Sequence, residues 1–87
     1  MGSFEVVVKQ SVAKDLQRVP KSHAAKVLGR IEALGANPRP RGAEKLSEQE
    51  KYRVREGIDR IIYEIKDDEL TVVVVKVGHR RDVYETS

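Results

Sequence analysis

The stretch that decides the fold is Tyr52-Arg53-Val54-Arg55-Glu56-Gly57-Ile58-Asp59-Arg60-Ile61-Ile62-Tyr63-Glu64-Ile65-Lys66-Asp67-Asp68-Glu69-Leu70-Thr71-Val72-Val73-Val74-Val75-Lys76-Val77. Three runs rich in β-branched and aromatic residues are separated by short turn signals, Gly57 and then Asp67-Asp68. The runs predict strands over 52–56, 59–66 and 70–77. The connections are short enough for antiparallel hairpins, so the unit is a three-stranded meander. Strand parity then sorts the side chains. Val54 lies between Arg53 and Arg55, which therefore share the other face. On the next strand Ile61, Tyr63 and Ile65 form the better apolar set, leaving Arg60, Ile62 and Glu64 opposite. On the last, Val73, Val75 and Val77 alternate with Val72, Val74 and Lys76.

Upstream of the meander the period changes from two to about 3.6 residues per turn. Val12, Leu16 and Val19 recur at helical spacing after Ser11, a candidate N-cap, and Val19-Pro20 ends that helix. A second helix starting near residues 20–22 carries Ala24, Val27, Leu28, Ile31 and Leu34 on one stripe, with Gly35 and Asn37-Pro38 as its stop. Before both helices, Phe4, Val6 and Val8 alternate as one face of a strand. Between helix and meander, Asn37-Pro38-Arg39-Pro40-Arg41-Gly42 is too rich in Pro and Gly for a regular element, and Leu46 is its expected anchor. The expectation is a single α+β domain over residues 1–87. It has an N-terminal strand, a helical hairpin and an antiparallel meander, with a short C-terminal segment. Ile61, Tyr63 and Ile65 are expected to bury against Leu16, Val27, Leu28, Ile31 and Leu34.

Composition narrows the function classes. Hydrophobic residues make up 39% and aromatics 5%, so the core must be aliphatic. There is no cysteine, which excludes disulfides and thiolate metal sites and fits a reducing cytosol. No run approaches a membrane span, and no signal-peptide plan opens the chain. Met1-Gly2-Ser3 resembles a lipidation start, but Val6 stands where that signal needs Ser or Thr. No P-loop, metal cluster or Ser-His-Asp order is present. The reading is therefore of a cytoplasmic chain without cofactor, metal or membrane partner.

The net charge of +3 is modest, but its distribution is not even. Arg39, Arg41, Lys45, Lys51, Arg53, Arg55 and Arg60 cluster, and Lys76, Arg80 and Arg81 follow near the C-terminus. If the apolar sets face the helices, Arg53, Arg55, Arg60 and Lys76 project from the other face, with Arg80 closing the same surface. Such a face suits RNA phosphates. A half-exposed antiparallel sheet is also ordinarily polar on its open side, so parity alone leaves both readings standing.

The segments Tyr52-Arg53-Val54-Arg55-Glu56-Gly57, Asp59-Arg60-Ile61-Ile62-Tyr63-Glu64-Ile65 and Val77-Gly78-His79-Arg80-Arg81-Asp82-Val83-Tyr84 together resemble the C-terminal half of the RelE/ParE toxin superfamily. Ala13-Lys14-Asp15-Leu16, Val19-Pro20, Ile31-Glu32-Ala33-Leu34 and Asn37-Pro38 resemble its front half. The resemblance implies the RelE-like fold, with a helical hairpin on a mostly antiparallel sheet. It implies the toxin of a type II toxin–antitoxin pair, held silent by a RelB-like antitoxin that wraps it. Its RelE branch cleaves mRNA on the ribosome without a metal. The ParE branch inhibits DNA gyrase instead, and a member that only binds its antitoxin is a further alternative.

Carried over by position, the family's basic pair falls on Arg53 and Arg55, and its phosphate-binding arginine on Arg60. The arginine after the last strand falls on Arg80 and the C-terminal tyrosine on Tyr84. Catalytic roles are thus expected of Arg60, Arg80, Tyr84 and His79, and RNA contacts of Arg53, Arg55, Lys76 and Arg81. Exposed arginines in these roles would contribute little to stability. The departure is that relatives carry lysines where this chain has Arg53 and Arg55. Arginine stays protonated, so it cannot be the general base. His79 is the best substitute by chemistry, with Glu50 and Glu56 as carboxylate alternatives, while His23 reads as a surface residue.

Overall fold

The computed structural model describes residues 3–46 and 51–79. Its elements are β1 (Glu5–Val8), α1 (Gln10–Gln17), α2 (Lys21–Ala36), β2 (Glu44–Lys45), β3 (Lys51–Glu56), β4 (Asp59–Lys66) and β5 (Thr71–His79), with a single 3₁₀ turn at Asp67–Glu69. Among the described residues they form one sheet ordered β1-β5-β4-β3-β2. The α+β class and the antiparallel meander agree with the sequence. The N-terminal strand closes the sheet by pairing in parallel with β5, Val6 opposite Val72 and Val8 opposite Val74.

The meander is built as its turns dictate. Glu56 faces Asp59 across the two-residue turn Gly57-Ile58. Only the first of those two has positive φ, at 62°. That is the type II′ pattern, which favours glycine there because a Cβ would be strained. The second turn is longer: the 3₁₀ turn leads into Leu70, whose φ of 49° places a bulky residue in the left-handed region.

α2 covers the inner face of the sheet. Val27, Ile31 and Leu34 pack with Val12, Tyr52, Val54, Ile61, Tyr63, Ile65, Val72, Val74 and Val77 in one aliphatic core, with Phe4, Val6 and Leu16 at its margin. The expected apolar face of β4 is therefore correct. So is the parity of β3, where Val54 is buried and Arg55 exposed. Leu28 is not a core residue; it is 45% exposed, one position off the stripe that meets the sheet. The stripe does extend to Gly35, whose carbonyl accepts the Phe4 N–H at 2.7 Å. A Cβ at Gly35 would lie 3.0 Å from the Phe4 carbonyl oxygen and 3.1 Å from Val6, so the glycine allows the helix end to approach β1.

Two expectations on the helices change. Ser11 lies inside α1, whose N-cap is Lys9, without a side-chain cap bond. Gly35 and Ala36 continue α2 before Asn37 ends it. The two helices also do not act as one layer. α1 runs beside the second half of β5, beyond the end of β1, and Asp15 Oδ2 accepts the Val77 N–H at 3.4 Å there. A helix thus takes over the sheet edge that β1 leaves open.

The parity of β5 reverses partway along. Ile62 faces Lys76 but Tyr63 faces Val74, so Val75 is the extra residue of a β-bulge. Val72 and Val74 point inward before the bulge and Val77 after it. The alternation of Val73, Val75 and Val77 as one set does not survive. Leu46 donates its N–H to the Lys51 carbonyl at 2.9 Å and is half-buried, so it holds β2 to β3 rather than entering the core.

Candidate functional site

The face of the meander opposite α2 carries the basic residues, and the ladders fix their neighbours. Arg55 stands directly opposite Arg60, Arg53 opposite Ile62, and Lys51 opposite Glu64. On the other side of β4, Arg60 faces Gly78 and Ile62 faces Lys76. Like charges in facing positions repel, so the positions of Arg55 and Arg60 together favour an anion nearby. Gly78, itself buried, adds no side chain beside Arg60.

The structure sorts the sequence candidates into three groups. Arg55 is exposed and Arg60 is 2% exposed, so Arg60 does not have the loose, solvated setting expected for it. Its guanidinium is part of the packed sheet, and Ile62 beside it is also buried. Arg53 and Lys76 have protein partners. Arg53 Nη2 donates to Glu44 Oε2 at 3.0 Å, a contact made possible by the unforeseen strand β2, which sets Glu44 opposite Arg53. Lys76 Nζ lies 3.5 Å from Asp15 Oδ1, which turns it toward α1. Both cations are therefore partly neutralised, and Arg55 stands exposed on this face beside the buried Arg60. His79 ends β5, opposite Asp59. Arg80, Arg81, Tyr84 and Glu50 lie outside the described residues.

Of the other titratable candidates, Glu56 follows its parity away from the arginines and lines a small cleft with His23, Lys26 and Gly57. His23 is less peripheral than a simple surface residue. Its Nδ1 lies 3.6 Å from Oδ2 of Asp59, whose side chain is only 6% exposed. Asp59 is the residue that sequence reasoning passed over. Its parity with Ile61 already directed it inward, where a carboxylate is costly without a purpose.

A second cluster fixes the basic loop to the sheet. Arg39 donates from Nη1 and Nη2 to the two oxygens of Asp67 at 3.2 and 2.9 Å, and from Nε to the Tyr52 hydroxyl at 3.2 Å. Its guanidinium carbon lies 5.5 Å from the Tyr52 ring centroid, and that ring stacks on Tyr63 at 5.8 Å. This fork holds Asp67 below the usual carboxylate range. Arg39 is thus committed to joining the loop and the β4–β5 turn.

Comparison with known proteins agrees with this architecture. Residues 6–84 match the family described as the ParE toxin of the type II toxin–antitoxin system parDE. A curated protein of Methanocaldococcus jannaschii named as toxin RelE1 is 31% identical over 86 residues, covering 94% of this chain and 96% of its own. The RelBE2 toxin–antitoxin complex of Mycobacterium tuberculosis contains a chain that superposes with a TM-score of 0.80 at 28% identity, covering 92% of this chain and 94% of that one. In the archaeal RelE–RelB complex of Pyrococcus horikoshii the values are 0.78 and 26%, over 90% of this chain and 96% of that one. Isolated E. coli RelE shares the fold at a TM-score of 0.78 and 16% identity, over 97% of this chain and 94% of that one.

Proposed function

We propose that this chain, which belongs to the ParE toxin family of type II toxin–antitoxin systems, is a RelE-like, metal-independent endoribonuclease acting on mRNA. The observation that carries the reading is the facing pair Arg55 and Arg60, flanked by Gly78. Exposed Arg55 meets the incoming phosphate, and the buried Arg60 opposite it adds a fixed positive charge beside it.

The chemistry asked of the site is a transesterification. The ribose 2′-hydroxyl loses its proton as its oxygen attacks the adjacent phosphorus, and the bond to the 5′ oxygen breaks as that oxygen takes up a proton. Charge builds on the phosphoryl oxygens in between. Arg60, held by the sheet, supplies fixed donors to them, and a fixed donor stabilises charge without reorganising. Arg55, on the exposed side, guides the backbone in. By family position, Arg80 and Tyr84 are assigned phosphate and base contacts, and Arg81 an RNA contact. The proton acceptor by chemistry is His79, which pairs with Asp59 at the end of β5. Arg53 and Lys76 serve as secondary RNA contacts that must first leave Glu44 and Asp15.

The partner that restrains such a toxin is a RelB-like antitoxin with acidic and apolar residues, and the site of action is the ribosome in the cytoplasm. The relatives bound to RelB in their solved complexes support that partner. Primer extension on mRNA from cells briefly expressing the chain tests the reading. Discrete cleavage sites within coding regions are expected. Intact mRNA with accumulating DNA breaks would instead assign the chain to gyrase inhibition.

A further inference from the structure

β1 is the last strand on its side of the sheet, and its backbone shows which groups it leaves for a neighbour. The Glu5 N–H donates to the Leu70 carbonyl at 2.8 Å and the Lys9 N–H to the Val74 carbonyl at 3.2 Å. Odd-numbered residues of this stretch therefore direct N–H and C=O at β5, and even-numbered ones direct theirs the other way. Phe4 follows that rule, since its N–H leaves the sheet for the Gly35 carbonyl. The end of α2 thus closes the edge at Phe4, and α1 begins at Gln10. Between them, the backbone of Val6 and Val8 faces an edge that no other strand covers among the described residues.

That window reads Glu5-Val6-Val7-Val8-Lys9. Val7 and Val8 are 41% and 40% exposed, and Glu5 and Lys9 are exposed as well. A run of valines on a sheet edge invites another strand unless proline, a bulge or a covering segment blunts it. Here only the two end charges interrupt the run, and they have opposite sign. We infer that this edge is a self-pairing surface, on which two copies of the chain join β1 to β1 as antiparallel strands about a two-fold axis at Val7.

Two independent conditions meet in that register. Backbone bonds across the new edge need even residues opposite even residues, which allows axes at Val6, Val7 or Val8. With the axis at Val7, Val6 and the second copy's Val8 exchange both backbone bonds. Each Glu5 then stands opposite the other copy's Lys9, in the non-hydrogen-bonded positions where side chains come closest. An axis at Val6 sets Glu5 against Val7, and one at Val8 sets Lys9 against Val7, so both leave the charges unmatched. Parallel pairing in register sets Glu5 beside Glu5 and Lys9 beside Lys9, and facing like charges repel. A strand from an unrelated protein would not call for an acid and a base at mirror positions. The contact is isologous and closes at two copies, because each chain has spent its β1 edge. Val6 packs at the core margin, so Glu5, Val7 and Lys9 lie on the face opposite α2. A two-fold axis normal to the sheet keeps that face, with exposed Arg55, on one side of a continuous sheet in both copies.

The test uses the purified full chain in analytical ultracentrifugation and NMR hydrogen exchange. A reversible dimer with a dissociation constant of about 10–100 µM is expected, weak because the contact is smaller than the ~1,600 Å² of a standard interface. As concentration rises through that range, the Val6 and Val8 amides should gain protection while that of Val7, directed at β5, stays as it was. Glu5→Lys or Lys9→Glu alone sets like charges opposite each other at both ends, and should weaken the dimer at least about tenfold. The double variant exchanges the two charges and should return to within about threefold of the wild type. Both positions are exposed, so thermal melting should hardly change. Val7→Lys brings two ammonium groups together at the axis and should cause the same loss, which decides the matter if a charge-reversed variant does not fold. A wild type still monomeric at about 1 mM overturns the inference. A dimer that leaves Val6 and Val8 unprotected overturns it too, as does a double variant no tighter than the single ones. If the chain stays monomeric and a RelB-like antitoxin protects the two amides instead, the edge belongs to that partner and self-pairing is wrong. None of these readouts involves RNA, so each outcome leaves the cleavage reading to its own experiment.

Discussion

The Tyr63 hydroxyl donates a 2.8 Å hydrogen bond to the carbonyl of Pro38, joining the centre of the sheet to the loop that follows α2. Tyr63 is fully buried, and Pro38 has no N–H with which to hold the loop by itself. Tyr63→Phe keeps the ring but leaves a buried carbonyl unsatisfied, at a cost of about 1–3 kcal/mol. In a domain of this size that lowers Tm by roughly 4–8 °C per kcal/mol. Burial first, and then the neighbouring Tyr52, push the Tyr63 hydroxyl up to about 12 from an ordinary 10. The folded state therefore keeps this proton when the unfolded state has lost it. That contribution is complete below pH 10 and disappears as pH rises toward 12. The Tm difference between wild type and Tyr63→Phe should shrink over that window.

Asp67 behaves in the opposite sense. Its hydrogen bonds from Arg39 lower its pKa, so its contribution is present above the ordinary carboxylate range and is lost as pH falls through the lowered value. Both partners are largely exposed, so salt should weaken the pair and Tm should hardly respond to its removal. Carboxylate NMR titration of Asp67 is the sensitive measurement. Arg39→Ala should return Asp67 to the usual range, and an unchanged titration would show that the fork is not formed in solution.

The bulge at Val75 predicts an asymmetry between neighbours. Val74 is fully buried and Val75 only partly so, although both are valines in one run. Val74→Ala should cost about 1.5–3 kcal/mol in chemical denaturation, and Val75→Ala under ~1 kcal/mol. Equal losses would mean that the strand continues without the bulge.

Most of the meander was legible because its residue chemistry is local. Ile61, Tyr63 and Ile65 sit at period two, Gly57 takes the one position of its two-residue turn with positive φ, and Val54 between two arginines leaves one orientation. What could not be read arises between segments. Nothing local in five consecutive branched or apolar positions, 71–75, marks where a bulge falls. Glu44-Lys45 is too short to show a period, so the partner of Arg53 was hidden. Leu70 has no turn signature of its own, and its left-handed backbone follows from closing the loop. The site was half legible for the same reason: parity placed Arg55 and Arg60 on one face, but only the ladder shows them directly opposed. The same parity pointed Asp59 inward, and that signal was available without the structure.

Arg60 and Arg55 are the pair on which the functional reading is most exposed to test, and they should fail differently. Arg60 is 2% exposed, so Arg60→Ala removes packed atoms from a buried position, and Tm should fall. Arg55 is exposed, and Arg55→Ala should stay within about 0.5 kcal/mol of the wild type. Cleavage must therefore be normalised to the folded fraction before Arg60 is assigned a chemical role. After that correction Arg60→Ala should still lose about 10²–10³ in rate, the usual effect of a missing donor to developing charge. Arg60→Lys keeps the charge but loses the fork, and should recover only part of it. Arg55→Ala should act mainly through substrate affinity, with a salt dependence shallower by about one ion. If the folded fraction of Arg60→Ala cleaves at the wild-type rate, the facing arginines are a structural feature of the sheet, and the phosphate is bound elsewhere.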